Sequence, residues 1–506
     1  MPNHDELERI SPERAGIESS QVRRCLEKLT NEWASMHGFM AARNGQVFAE
    51  CFWSPYSKDL VHGNNSLGKT YTGTAVGIAL MEHKLSLEEK MTDIFAEEIK
   101  ERNIEVSELM KEIRIRDVLT MTNGHARHPE IGEDWIGDYF RTPMKYKPGT
   151  RFMYNTSGAC MLSAVIKKKT GQNLKEYLTP RLFDEIGING ERFVWLKWPN
   201  GLDAEPATFS TTEDNLRLAL LYMNGGSWNG RQLVDPDYIK EALSVQIGNE
   251  YAPEQKDGRC GYGYQLWACS IPGVYRFDGA QGQYGIVWPK KRVAVAVHEG
   301  AIAPYGPQRT LDVIYEELLL KIAEEPLEEN EEEYNRLLEI EKHMEFMPDR
   351  PNDITPDLDL SGKYIVTEGD PTPWLGLAPP GGADMFALYR AKDRKGRMEE
   401  FRLEMKEDRC ILEVNGYARF EAGFDGKLVL RNTDNVFPDL TAYSATARYI
   451  NGYTLEITIH WMSSWALTIM RFEKQNGTVK ITAMKNRLNQ EDNWLVYKGE
   501  ARGVEL

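Results

Sequence analysis

The spacing of apolar residues predicts a mixed architecture in the first three hundred residues. After a helix start at Ser11-Pro12-Glu13-Arg14 comes a run of helical period from Ser19 to about Trp33. Two strand-like stretches follow, over 38–43 and 46–52, joined by Asn44-Gly45. That dipeptide is the strongest short hairpin signal, because both of its residues readily take the positive φ a tight turn needs. An amphipathic helix is expected from about residue 66 to Leu80, then a start capped by Ser86 and a helix over 113–119 that ends in a turn. Further helices are expected over 160–166, from Phe209-Ser210-Thr211-Thr212-Glu213 to Tyr222, and after Leu233-Val234-Asp235-Pro236. Apolar runs at 284–288 and 292–298 read as strands.

Beyond about Leu360 the pattern changes to short alternating pieces, at 363–366, 385–389, 401–405, 410–414, 427–430, 455–461 and 467–472. Asn415-Gly416, Asp425-Gly426, Asn451-Gly452 and Asn476-Gly477 punctuate them. Period two with repeated turn dipeptides predicts an all-β barrel or sandwich. Between the two textures lies Glu324-Glu325-Pro326-Leu327-Glu328-Glu329, a solvated acidic stretch, then a helical run to Met344 broken by Pro348 and Pro351. The expected division is 1–323, an acidic helical linker over 324–358, and a β domain over 359–506.

A chain of 506 residues exceeds what one core organises, in keeping with two domains. The net charge of −16 argues against nucleic acid or an anionic membrane as a partner. No apolar run approaches membrane-spanning length, and the polar start Met1-Pro2-Asn3-His4 has no signal-peptide core. Six scattered cysteines lack metal-ligand spacing, and His125 and His128 have no carboxylate or cysteine at ligand distance in sequence. The expectation is a cytoplasmic protein without metal or cofactor.

The chemistry centres on Asn65-Ser66-Leu67-Gly68-Lys69. A serine and a lysine three residues apart share a helix face, and a hydroxyl is a poor nucleophile unless a neighbouring base takes its proton. A lysine whose pKa desolvation has lowered is expected to serve as that base, or to help it.

Together with Pro148-Gly149-Thr150-Arg151-Phe152-Met153-Tyr154-Asn155, this stretch resembles the serine β-lactamase and penicillin-binding-protein superfamily, in its class C-related branch of family VIII esterases and D-aminopeptidases. The resemblance covers residues 10 to 322. It implies an α/β (α+β) three-layer sandwich around an antiparallel sheet, preceding the C-terminal β domain. It also implies that Tyr154 acts as general base or acid with Lys69 on Ser66, its phenol pKa lowered by the cation. Thr156 replaces the usual asparagine or serine and is expected to donate one hydrogen bond to Lys69 or substrate. The third box of the family corresponds to Phe277-Asp278-Gly279, a substrate-binding strand that keeps the glycine and loses the lysine or histidine, with His298-Glu299-Gly300 as the alternative. The amides of Ser66 and Ala280 would form the oxyanion hole. The implied function is acyl transfer from a small ester, amide or peptide-like molecule to Ser66 and then to water, with weak or no β-lactamase activity. The alternative is a penicillin-binding or ligand-binding protein with little catalysis.

Overall fold

A computed structural model describes residues 6–30, 35–198, 200–301, 306–346, 348–357, 359–374, 397–433, 441–475, 477–486 and 494–504. Trp33, the strand expected at 385–389 and Asn476 lie outside the described residues.

The eleven strands described before residue 300 are β1 (Met36–Arg43), β2 (Gln46–Phe52), β3 (His62–Gly63), β4 (Val194–Lys197), β5 (Asp203–Ser210), β6 (Ser227–Trp228), β7 (Arg231–Gln232), β8 (Trp267–Ala268), β9 (Tyr275–Gly279), β10 (Gln283–Trp288) and β11 (Val293–Glu299). Six of them form an antiparallel sheet in the order β2-β1-β11-β10-β9-β8. The β1–β2 turn is Asn44-Gly45, both at positive φ, with Arg43 opposite Gln46. Alternation then sorts side chains by face. Met40, Ala42, Ala294 and Ala296 pack against one hydrophobic cluster, which also holds the Gly68–Met81, Thr156–Thr170 and Thr212–Met223 helices. Phe39, Ala41, Val295 and Val297 pack against the other, with the Ser19–Leu29 and Gly306–Glu317 helices and Leu337 of the Glu331–His343 helix. This is the helix–sheet–helix sandwich that the resemblance implied. The sequence-expected helix after Ser86 is two short pieces instead, Met91–Ile94 and Ala96–Glu101.

The Gly68–Met81 helix departs from expectation. It is not amphipathic: every residue from Gly68 to Ala79 is buried. Glycine, alanine and threonine serve as close-packing surface on all sides, as befits a helix hydrophobic or small all round. A Cβ on Gly77 would stand 2.6 Å from Tyr238 Cδ1 and 2.7 Å from Val234 Cγ1.

From residue 362 the chain forms β12 (Gly362–Gly369), β13 (Glu400–Met405), β14 (Arg409–Val414), β15 (Ala418–Gly423), β16 (Arg431–Asn432), β17 (Ala442–Asn451), β18 (Thr454–Trp461), β19 (Leu467–Gln475), β20 (Thr478–Asn486) and β21 (Trp494–Gly503). Their order is β15-β14-β13-β12-β21-β20-β19-β18-β17-β16, and β15 also pairs with β17, which closes the barrel. Alternate residues such as Leu455, Ile457 and Ile459 fill its interior. Trp374 and Trp461 belong to that interior.

The barrel meets the first unit at a row of buried rings. The His37 ring stacks on Tyr56 with centroids 3.9 Å apart, and its Nδ1 is 2.9 Å from His62 Nε2. His62 stacks on His298 at 4.8 Å. The Gly63 N–H donates to Ser463 O of the barrel at 2.9 Å. Burial first, then the neighbouring imidazoles, holds His37 well below the usual histidine pKa, and burial brings His62 to about 4. The unfolded chain therefore binds a proton at His62 between about pH 6.5 and 4 that the folded one refuses, so stability is lost as pH falls through that window. Buried carboxyls with raised pKa, Asp203 at about 6 and Glu341 at about 8, contribute with the opposite sign. The native-minus-variant difference cancels the carboxyl contribution and reads His62 together with its pull on His37 and His298. Urea unfolding from pH 7 to 4.5 is expected to show a shallower acid loss for His62→Gln than for the native protein; equal slopes would remove His62 from the acid response.

Candidate active site

Ser66 lies in a single 3-10 turn, Asn65–Leu67, that leads directly into the buried helix. The turn is held from three sides. The Asn64 N–H donates to Thr208 O at 2.9 Å, and its Nδ2 to Thr208 Oγ1 at 3.2 Å. Asn64 Oδ1 accepts from Ser210 Oγ at 3.0 Å and from Asn215 Nδ2 at 2.8 Å. Asn65, at φ 50°, donates through Nδ2 to Ala280 O at 2.8 Å. Strand β5, the Thr212–Met223 helix and the β9–β10 turn thus converge on the two residues preceding the serine.

Lys69 Nζ donates to Ser66 Oγ at 3.0 Å. Lys69 is 1% exposed, and its partner is Glu205 on β5, 0% exposed, with Nζ to Oε2 at 3.4 Å. This acidic residue was not anticipated. Period-two alternation puts Asp203 and Glu205 on one face of β5, and nothing local distinguishes them: Asp203 Oδ2 accepts the Lys175 N–H at 2.8 Å instead. Gly68 makes the approach of β5 possible. A Cβ there would stand 2.6 Å from Thr208 Oγ1 and 2.8 Å from Glu205 O, closer than side-chain carbons come to either.

The pKa of Lys69 moves opposite to the lowering expected from desolvation. Burial is the largest single influence and lowers it, but Glu205, together with Tyr154 and Cys160, more than offsets burial and the pKa is raised, so Lys69 is an ammonium at neutral pH. Glu205 is itself raised to about 7 by burial, against the pull of Lys69.

Tyr154 stands over this pair, its ring centroid 5.3 Å from Lys69 Nζ. It is stacked on Trp267 at 5.6 Å and tilted against Tyr251 at 5.2 Å. Burial raises its phenol to about 12; Lys69 and a hydrogen bond with Ser66 pull the other way without overcoming burial. The phenol is neutral at pH 7, not acidified as the nearby cation had suggested. Tyr154 also borders a cleft of about 730 Å³ whose walls include Arg151, Phe152, Asn249, Glu250 and Tyr251. Tyr251, which packs against the phenol beside Trp267, carried no sequence signal beyond being aromatic.

The remaining expected residues separate. Asn155 caps the Thr156–Thr170 helix, accepting the Gly158 N–H at 2.9 Å. Thr156 begins that helix, and its N–H donates to His128 Nε2 at 3.0 Å; its hydroxyl makes no hydrogen bond to Lys69 or Ser66. His125 is buried against Tyr139. Phe277, expected to bind substrate, is a core residue edge-on to Tyr222 at 5.1 Å, because its face of β9 looks into the sandwich. Asp278 is tied to Arg276 Nε at 2.7 Å, and that guanidinium is also fixed on Ala268 O and Asp257 O. Gly279 packs on Asn64 O too closely for any side chain, which sets Ala280 beside the nucleophile turn. His298 does not face the cleft: its Nδ1 meets Thr212 Oγ1 at 3.1 Å, and its Nε2 meets Asn215 Nδ2 at 2.9 Å.

Residues 37–299, just over half of the chain, match the family model described as Beta-lactamase. Among solved structures, an octameric penicillin-binding protein homologue from Pyrococcus abyssi is 15% identical, covering 95% of this chain and 99% of its own, with a TM-score of 0.47. A penicillin-binding protein homologue from Caulobacter crescentus is 14% identical, with 62% and 100% covered and a TM-score of 0.48. EstCE1, a hydrolase with promiscuous acyltransferase activity, is 14% identical, with 59% and 98% covered and a TM-score of 0.46. The comparison with curated proteins gave no match. Among the described residues no helix is long and apolar enough to cross a membrane.

Gly68→Ala tests the packing that assembles the site. Overpacking against β5 is expected to cost about 1–3 kcal/mol of unfolding free energy, read by urea denaturation. A variant as stable as the native protein would mean that β5 yields freely.

Proposed function

We propose that this chain, which belongs to the beta-lactamase family, is a serine hydrolase that works through an acyl-enzyme on Ser66. The observation that carries the reading is the Lys69 Nζ to Ser66 Oγ hydrogen bond at 3.0 Å, beneath the half-buried Tyr154 phenol.

The protonation states favour a shuttle through Tyr154. As Ser66 Oγ bonds to the acyl carbon, its proton passes to the Tyr154 oxygen while the phenol gives its own proton to the departing oxygen or nitrogen. The Oγ–H and carbon–leaving-group bonds break, the acyl–Oγ bond forms, and the phenol ends neutral. Water reverses the sequence: its hydroxyl takes the acyl group, and its proton returns through Tyr154 to Ser66. Lys69 stays charged throughout and stabilises negative charge developing on the two oxygens, the larger share of such catalysis. The amides of Ser66 and Ala280 take the oxyanion in this scheme.

An ester or uncharged small amide suits the site better than a β-lactam. With Phe277 in the core and Asp278 bound to Arg276, β9 offers no cation to a ligand carboxylate. That omission removes a charge-assisted contact of roughly 1.5–3 kcal/mol.

A fluorophosphonate probe is expected to label the native protein and not Ser66→Ala; a native protein that resists labelling would favour a binding role instead. Tyr154→Phe is expected to lower turnover of a p-nitrophenyl ester by roughly 10²–10⁴-fold, and an unchanged rate would exclude the shuttle. Nitrocefin should be turned over poorly. Rapid hydrolysis would mean that a cation elsewhere, Arg151 being the one lining the cleft, holds the β-lactam carboxylate.

A further inference from the structure

The serine, lysine and phenol leave one buried group of the site without a role. Glu205 is fully enclosed, and neither carboxylate oxygen has a hydrogen-bond partner among the described residues; its one charged neighbour is Lys69 Nζ at 3.4 Å. A carboxylate kept so far from water is costly unless its charge is used by a partner. The surrounding structure makes the placement deliberate. Gly68 lacks the side chain that would push β5 away, and Asn64 binds β5 three times, at Thr208 O, Thr208 Oγ1 and Ser210 Oγ.

We propose that Glu205 is a positioning residue of this site: its carboxylate keeps the buried Lys69 as an ammonium fixed on Ser66 Oγ, and so leaves the proton exchange to Tyr154. The inference rests on Ser66 being the nucleophile. It separates two tasks that a neutral lysine would combine, since an ammonium donates to Ser66 and cannot accept from it. Protonating Glu205 removes the counter-charge and leaves the ammonium alone in the interior. Activity therefore falls as pH drops through the ionisation of Glu205, which burial has raised to about 7. Other titratable groups face this pair. Tyr154, Tyr251, Tyr262 and Cys160 are all raised, chiefly by burial, and change charge only on the alkaline side. His128, near Lys69 and lowered by burial, is the remaining candidate for an acid limb.

The test is the rate of fluorophosphonate labelling of Ser66 from pH 5 to 10 in the native protein, Glu205→Gln, Glu205→Asp and His128→Gln, with unfolding curves for each. The native rate is expected to rise with pH through neutrality, and His128→Gln to keep that limb. Glu205→Gln should lose the limb, label about 10–100-fold more slowly at pH 8, and decline earlier on the alkaline side as the unpaired ammonium sheds its proton. Glu205→Asp should restore the shape of the native profile at a reduced rate. A native profile flat from pH 5 to 9, a limb that disappears in His128→Gln, or a Glu205→Gln profile matching the native one would each overturn the inference while leaving Ser66 as nucleophile. The native profile and His128→Gln decide the matter even if Glu205→Gln fails to fold. Absence of labelling in the native protein would instead overturn the hydrolase reading itself.

Discussion

A lysine ammonium cut off from water is the constraint around which the catalytic unit is built. Taken into an apolar interior alone, such a group gives up its proton instead of staying charged. Here it remains charged because a carboxylate equally cut off from water stands 3.4 Å away. Attraction at that distance in the interior far exceeds its value in bulk water, though it chiefly offsets the cost of burying both charges. The pair is therefore weak evidence for stability and strong evidence for a specified arrangement. Meeting that constraint requires a strand and a helix to approach more closely than ordinary side chains allow, and the first turn of the helix is glycine where β5 crosses it. The same closeness continues along the helix, where Gly73 faces Gln265 and Tyr238, and Gly77 faces Tyr238 and Val234. Small residues there are a packing requirement and not a weakness of the helix.

Strand β9 approaches the Ser66 turn closely and presents it with no free cation. Gly279 allows β9 to lie on Asn64, and Ala280 accepts from Asn65, so the turn carrying Ser66 is pinned from that side. What a cation would do for a bound carboxylate has no counterpart on this strand. Arg276 is buried, and Asp278, Ala268 O and Asp257 O hold its guanidinium at all three nitrogens. In the cleft beside Tyr154, Tyr251 and Phe152 offer aromatic surface, and Glu250 and Arg151 offer one charge of each sign. Such a lining suits a small ligand held mostly by shape and stacking.

How much of this was readable depended on the range of the interaction. The Asn44-Gly45 hairpin is a two-residue matter and appears where it was expected. Barrel strands show in the alternation of Leu455, Ile457 and Ile459, because one face of each is inside. Ser66 and Lys69 are three apart on one turn, so their contact follows from local geometry. Glu205 was illegible because its partner is distant in sequence, as are Asn64 and Thr208, 144 residues apart, and because alternation treats it and Asp203 alike. The same gap reversed the charge reading: desolvation was foreseen for Lys69, and its counter-charge was not. Threonine and glycine in the nucleophile helix read as a polar face, although tertiary packing encloses them. Phe277 was placed by its position in a motif, whereas the face of β9 it occupies is set by pairing with β10.

Among the described residues, the β-barrel meets the first unit at the segment that precedes Ser66. Strand β3 is only two residues long and pairs with β5 on one side, which would leave an unpaired edge on the other. The carbonyl of Ser463 in the barrel takes up the Gly63 N–H, and Trp465 packs against Gly300 at the end of β11. A short edge strand three residues before the serine is a place where fraying would move the nucleophile itself, because unsatisfied backbone groups draw in water. Met462, Ala442 and Tyr56 close the same junction with apolar surface, beside the His37, His62 and His298 rings. Since Trp374 and Trp461 are committed to the barrel's own interior, these contacts tie the barrel to the backbone that positions Ser66.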